Sequence, residues 1–323
     1  MNVPRIVITE SYGPQIRQLV RSTVPVDWTV DYLHEADAQA LQRATVLCSG
    51  AAGASAAMLA RLPSLRLVQH LGVGVEKIDQ AACKAHRVGV LRLAAANAVP
   101  VAEHTVLLIL AALRRLPFQD RRVRAGEWDR ESIRGFARML HHKRVGLIGF
   151  GAIGRAVARR LHGFEVDLLY CAPRPASHDD ETRFNVRRAG LDEIVSTCDV
   201  VSLHCPLNDE TRNLIDASRI ASMKPTAVLV NCARGALVDQ AALEQALYEG
   251  RLLGAGLDTL TTEPPGDLSL LACDSAVFTP HAAASTFDNF ELVLRRAVDN
   301  IRGYLVGEAV AESDLVLEMR PLQ

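Results

Sequence analysis

The segment Gly149-Phe150-Gly151-Ala152-Ile153-Gly154 constrains the fold of this chain more than any other. It follows the apolar run Val145-Gly146-Leu147-Ile148 and opens an amphipathic stretch, Arg155 to Leu161, so a strand, a tight turn and a helix are expected in that order. The first glycine permits the turn. The second lets the backbone approach a pyrophosphate, and the third allows close packing of helix on strand, while the helix N-terminus offers N–H groups to phosphate oxygens. A glycine-rich turn in another α/β protein, such as a methyltransferase, has the same pattern.

Around this turn, short β-branched runs alternate with amphipathic stretches. Arg5 to Thr9, Trp28 to Tyr32, Thr45 to Cys48, Leu67 to His70 and Val88 to Leu91 read as strands of a first parallel sheet. A long helical pattern from about Val101 to Arg115 has the look of a connection between domains. A second series then runs Arg144 to Ile148, Val166 to Tyr170, Val200 to His204, Ala227 to Asn231, Gly254 to Asp258 and Ala276 to Thr279. The last helical pattern, Phe287 to Val306, sets Phe290, Val293, Leu294, Ala297, Ile301 and Leu305 on one face. The reading is α/β, with two doubly wound parallel-sheet domains. Pro173-Arg174-Pro175 reads as a loop.

Composition removes several function classes. Lys plus Arg (36) nearly cancels Asp plus Glu (37), so no strong field favours a nucleic acid or an anionic membrane. No apolar run approaches a bilayer span, and Met1 to Ile8 reads as a first strand and not as a secretory leader, which predicts a cytoplasmic protein. Seven cysteines without a C-x-x-C pair, mostly in apolar stretches, read as small buried hydrophobes. No disulfide framework and no metal site are expected.

Three polar residues follow strands of the second series: Arg234 after Val228 to Asn231, Glu263 after Leu257-Asp258, and His281 after Val277 to Pro280. Ligands bind at such carboxyl ends in open α/β sheets. A guanidinium can grip a carboxylate bidentately and polarise a neighbouring carbonyl. An imidazole can give or take a hydroxyl proton near neutrality, and a carboxylate beside it favours the protonated ring and fixes its orientation. Singly, each has an ordinary alternative: a turn arginine, a loop carboxylate, a histidine satisfied behind a buried strand. Their shared place after successive strands of the glycine-loop sheet overturns those alternatives.

Over nearly its whole length the chain resembles the D-isomer-specific 2-hydroxyacid dehydrogenase family. The resemblance rests on an ordered series: Leu71 to Asp79 (LGVGVEKID), Asn97 with Val101-Ala102-Glu103-His104, Gly126-Glu127-Trp128, and Gly149 to Gly154. The series continues with His204-Cys205-Pro206-Leu207 and Thr211, Val230 to Gly235 with Val238-Asp239, Gly256-Leu257-Asp258 with Glu263-Pro264, and Thr279-Pro280-His281.

The resemblance implies a Rossmann coenzyme domain over residues 98–287. It also implies a flavodoxin-like substrate domain over residues 1–97, completed by residues 288–323, with the two flanking a cleft. It implies hydride transfer between NAD(P)H and a small 2-oxo or 2-hydroxy acid, D-stereospecific, with glyoxylate and hydroxypyruvate as first trials. Arg234 would bind and polarise the substrate, His281 would be the acid/base, and Glu263 its partner. Val73, Gly74 and Asn97 would hold substrate with Arg234 and His281. The cofactor would lie along Gly149, Phe150, Gly151, Ala152, Ile153, Gly154, His204, Pro206, Thr211, Cys232, Ala233 and Asp258, the last contacting the nicotinamide carboxamide. The long helix would contribute to a homodimer. With Gln323 soon after the last helix, no appended regulatory domain is expected.

Two departures from the family pattern bear on these implications. Glu76 stands where an Asp is common. The acidic residue that would receive the ribose hydroxyls is absent from the end of the second cofactor strand, where Cys171 stands, with Arg174 three residues on. Without that carboxylate a 2′-phosphate is not repelled, and the reading leans to NADP(H), with NAD(H) the alternative. Asp167, inside the strand, reads as structural. Two rivals stay open: a dehydrogenase of another small anion, formate or phosphite, on the same scaffold, and an interaction protein resembling the C-terminal-binding corepressors.

Overall fold

The computed structural model of the chain describes residues 3–319. Of the opening run read as a strand, Met1 and Asn2 lie outside the described residues, as do residues 320–323 of the expected closing segment. The chain divides into two compact units, Met1–Asn97 with Ser285–Gln323, and Ala98–Ala284.

In the first unit β1 (Arg5–Ile8), β2 (Thr29–Tyr32), β3 (Val46–Ser49), β4 (Leu67–His70) and β5 (Gly89–Leu91) form a parallel sheet in the order β5-β4-β3-β1-β2. That is the flavodoxin-like order. Strands β3 and β4 are buried at every position, as parallel strands covered on both faces must be. A closing strand, Leu315–Leu317, pairs antiparallel with β5, so this sheet is not wholly parallel. The sequence reading missed that strand because Leu315-Val316-Leu317 is short and only half-buried at a sheet edge.

The helix Phe287–Val306 belongs to this unit. Thr286 caps it by accepting from the Asn289 N–H, and Gly307, at φ 84°, ends it. Its stripe Val293, Leu294, Ala297 and Ile301 is buried, with Phe290 and Leu305 partly so. The side chain of Asp314 is wholly buried and fixes the tail: it accepts from Arg296 Nη2 at 2.6 Å, Asn300 Nδ2 at 2.9 Å and the Ala94 N–H at 2.8 Å.

In the second unit β6 (Arg144–Ile148), β7 (Asp167–Cys171), β8 (Val186–Arg188), β9 (Val200–Leu203), β10 (Val228–Asn231), β11 (Gly254–Leu257) and β12 (Ala276–Phe278) make one parallel sheet, ordered β12-β11-β10-β9-β6-β7-β8. Counted from β6 this is the Rossmann order with a seventh strand, and it reverses direction between β6 and β9. The sequence reading missed β8, whose Val186-Arg187-Arg188 holds one apolar residue because it is an edge strand. The helix Ala98–Arg114, expected as a connection, packs on β10, β11, β12 and the helix Ala152–Leu161 inside this unit. Among the described residues no helix is long and apolar enough to cross a membrane.

Candidate active site

The glycine loop joins β6 to the helix Ala152–Leu161 at the point where the strand order reverses. Gly149 has φ 103°, and a Cβ there would stand 2.5 Å from the carbonyl of His204 at the end of β9. Only glycine fits both demands. A Cβ on Gly154 would meet the Gly149 carbonyl oxygen at 2.4 Å, so the outer two glycines serve the fold itself. Gly151 differs: nothing lies within 4 Å of its Cβ position, and the helix it opens has no side-chain cap. Open space over Gly151, facing uncapped N–H groups at the start of a ten-residue helix, fits a pyrophosphate.

Other residues expected along a cofactor fall at the same end of the sheet. The Phe150 ring is buried and stacked on Tyr170 at 4.5 Å, so what it can offer a ligand is backbone; Ile153 packs on the same core. His204 follows β9 and lies 2.9 Å from Ser202 Oγ, and burial pushes its imidazole down to about 4, so it is neutral at working pH. Thr211 Oγ1 donates to the Pro206 carbonyl at 2.7 Å and locks that loop. The Cys232 thiol is buried, and desolvation pushes it up to about 12. The Ala233 N–H is taken by Asn231 Oδ1 at 2.9 Å.

Cys171 ends β7 half-buried, and its carbonyl accepts from the Gly149 N–H at 2.8 Å. Arg174 is exposed in the following loop. Asp167 pairs with Arg144 at 2.7 Å at the other end of the strand. The sequence reading overlooked Arg188 at the end of β8. Its Nη2 donates to the carbonyls of Ala172 and Pro173 at 3.1 and 3.3 Å and so straps the loop that carries Arg174.

The three polar side chains follow β10, β11 and β12, which are adjacent in the sheet and so about 4.8 Å apart from strand to strand. Asn231, buried at the end of β10, folds the next turn by accepting from the Ala233 N–H and donating to the Arg234 carbonyl at 2.9 Å. Arg234 Nη1 donates to the Ala233 carbonyl at 2.7 Å. A Cβ on Gly235 would come within 2.0 Å of the Leu260 carbonyl carbon, so only a glycine lets the turn after Arg234 pack on the loop leading to Glu263. Glu263 Oε1 accepts from the Leu260 N–H at 3.1 Å, and Oε2 lies 2.8 Å from His281 Nδ1.

A carboxylate only accepts, so Nδ1 carries the proton and Nε2 remains for a ligand. The His281 side chain is 49% exposed, and solvent or substrate can reach it. His281 sits at φ 53°, a conformation that costs a non-glycine residue about 1–2 kcal/mol. The buried Asp258 holds it there. Its carbonyl accepts from the His281 N–H at 2.8 Å, and its carboxylate accepts from Thr279 Oγ1 at 2.6 Å and the N–H groups of Ala282 and Ala283 at 2.8 and 3.0 Å. His104 Nε2 adds a contact to Thr279 Oγ1 at 2.9 Å. This clamp was not read from the sequence, because nothing in the residue order shows where a strand-end carboxylate points.

The Glu263 contact has a measurable consequence. Glu263→Gln keeps an acceptor for Nδ1 but removes the charge that favours imidazolium. Carbonyl reduction should therefore slow in Glu263→Gln and slow further in Glu263→Ala, which also frees the ring; near-normal turnover in both would reduce Glu263 to a loop anchor.

Val73 and Gly74 lie half-buried in the loop after β4 in the first unit. Asn97 ends that unit's first segment with a buried Oδ1 that has no hydrogen-bond partner among the described residues.

A family model described as the NAD binding domain of D-isomer specific 2-hydroxyacid dehydrogenase matches residues 106–283. The chain belongs to that family. The matched span of this 2-hydroxyacid dehydrogenase family member holds the glycine loop, Arg234, Glu263 and His281. D-3-phosphoglycerate dehydrogenase of Mycobacterium tuberculosis is 32% identical over 325 residues, covering 97% of this chain. The chain spans only 59% of that relative's length. Glyoxylate/hydroxypyruvate reductase B of Serratia proteamaculans is 34% identical over 311 residues, covering 94% of this chain and 95% of the relative. The NADPH-dependent glyoxylate/hydroxypyruvate reductase of Sinorhizobium meliloti, solved with citrate, superposes with a TM-score of 0.81 at 26% identity, over 97% of each chain.

Proposed function

We propose that the chain reduces a small 2-oxo acid, with glyoxylate and hydroxypyruvate as the first substrates to try, to the D-2-hydroxy acid at the expense of a reduced nicotinamide dinucleotide. The observation that carries the reading is the imidazole held by a carboxylate at 2.8 Å, on the strand end next but one to the strand that Arg234 follows. The bound nicotinamide supplies the hydride, which goes to the carbonyl carbon. Arg234 grips the carboxylate and polarises the carbonyl. His281 Nε2 gives its proton to the carbonyl oxygen, and Glu263 stabilises the imidazolium before that transfer. Asp258 serves the nicotinamide carboxamide as well as the His281 loop. The enzyme works in the cytoplasm as a homodimer through the helix Ala98–Arg114, whose exposed Val99 and Leu107 each stand about one helical turn from Glu103.

For cofactor choice, the missing carboxylate at Cys171 and the exposed Arg174 support NADPH ahead of NADH. A charge-assisted bond from Arg174 to a 2′-phosphate is worth about ten- to a hundredfold. The test is kcat/KM for both cofactors with glyoxylate. Cys171→Asp should shift the ratio toward NADH, and Arg174→Ala should erode the NADPH preference. A strong NADH preference untouched by either substitution would overturn the assignment to this loop.

A further inference from the structure

The amino ends of β6 and β7, at the edge of the sheet away from the glycine loop, carry a second cluster of donors. The parallel register sets Arg144 opposite Asp167, so the residues two places earlier in each chain segment, His142 and Glu165, enter the sheet side by side. His141 precedes His142. The two rings lie 3.6 Å apart, and His141 Nε2 stands 3.6 Å from Glu165 Oε2. One nitrogen of each ring and one carboxylate oxygen all fall within 4.8 Å of one another. His142 and Glu165 have φ of 56° and 54°, a left-handed backbone that few residues with a Cβ adopt. Glu165 also closes the single turn His162–Phe164 through its N–H to the His162 carbonyl at 3.2 Å.

We propose that His141, His142 and Glu165 form a surface site for one divalent transition-metal ion of the zinc, nickel or copper class. This is independent of the reduction reading. Two imidazoles and a carboxylate are the donor set such ions take, and hard magnesium does not. Donors held about 2.0–2.2 Å from an ion in a tetrahedron stand about 3.3–3.6 Å apart, close to the spacing of this cluster, whose donors all lie within 4.8 Å of one another. All three residues are exposed, which gives them that freedom and leaves water the remaining coordination position. Of the two cations that follow His142 in the chain, Lys143 and Arg144, the second is paired with Asp167 at 2.7 Å. Cysteine spacing, on which no metal site is expected, does not reveal this cluster. Here the histidine pair and Glu165 are separated by β6, the glycine loop and its helix, and the β6–β7 pairing brings them together. A five-residue β6 places the site roughly 15 Å from the glycine loop.

The test is calorimetric titration of the full chain with ZnCl₂ at mildly alkaline pH, with MgCl₂ as control. The expected result is saturable binding of about one Zn²⁺ per chain and none of Mg²⁺. Affinity should fall at least about tenfold in His141→Ala and in Glu165→Gln. His142→Asn, which tolerates the left-handed backbone, should weaken binding without lowering the thermal unfolding midpoint. No saturable Zn²⁺ binding would overturn the site. So would binding that survives these substitutions undiminished, which would place the ion on other donors such as the half-buried thiols of Cys171 and Cys205.

Discussion

His281→Ala is expected to depress carbonyl reduction by about 10² to 10⁴, the range for loss of an acid/base, with cofactor affinity almost unchanged. The imidazole is held at Nδ1 by Glu263 at 2.8 Å and presents Nε2, so truncation removes the proposed proton donor and leaves the residues of the glycine loop unaltered. The position has φ 53°, so part of any loss in the alanine variant could come from a shifted loop. His281→Asn, which accepts that backbone, separates the two: an equal loss in both variants assigns the effect to the imidazole. Turnover is followed by loss of reduced-nicotinamide absorbance, and cofactor affinity by fluorescence titration. Near-normal turnover in the asparagine variant would remove His281 from the chemistry.

Arg234→Lys is the second large effect. Lysine keeps the charge but loses the planar fork, and a lost contact of this electrostatic kind lowers kcat/KM by roughly two powers of ten or more, about 2.7 kcal/mol. The turn that aims Arg234 is set by main-chain bonds to Asn231 and by the close approach of Gly235 to Leu260, neither of which the substitution touches. The loss should therefore appear with 2-oxo acids while cofactor affinity holds. An unchanged kcat/KM would return Arg234 to the role of a turn residue.

Much of the fold was legible because parallel strands buried on both faces leave apolar runs, as at Val145 to Ile148 and Val228 to Val230, and because the last helix keeps an apolar stripe from Phe290 to Leu305. The strands that escaped, Val186–Arg188 and Leu315–Leu317, are edge strands three residues long, where one face meets solvent and the pattern dissolves. At the candidate site, residue types and their places after strands pointed to Arg234, Glu263 and His281. Contacts between loops were not legible. That Gly235 must be glycine depends on Leu260, and that Asp258 holds the His281 loop depends on three donors from residues 279–283. The same limit hid Arg188, whose bonds to Ala172 and Pro173 exist only because β8 lies beside β7.

The proposed reaction is hydride transfer to a 2-oxo acid with a proton from His281. Its most direct test is incubation of the wild-type chain with hydroxypyruvate and reduced nicotinamide cofactor, followed by chiral analysis of the product. Cofactor oxidation matched by formation of D-glycerate is the expected result. No oxidation with hydroxypyruvate, glyoxylate or any other 2-oxo acid of a panel, together with reduction of the oxidised cofactor by formate or phosphite, would contradict it.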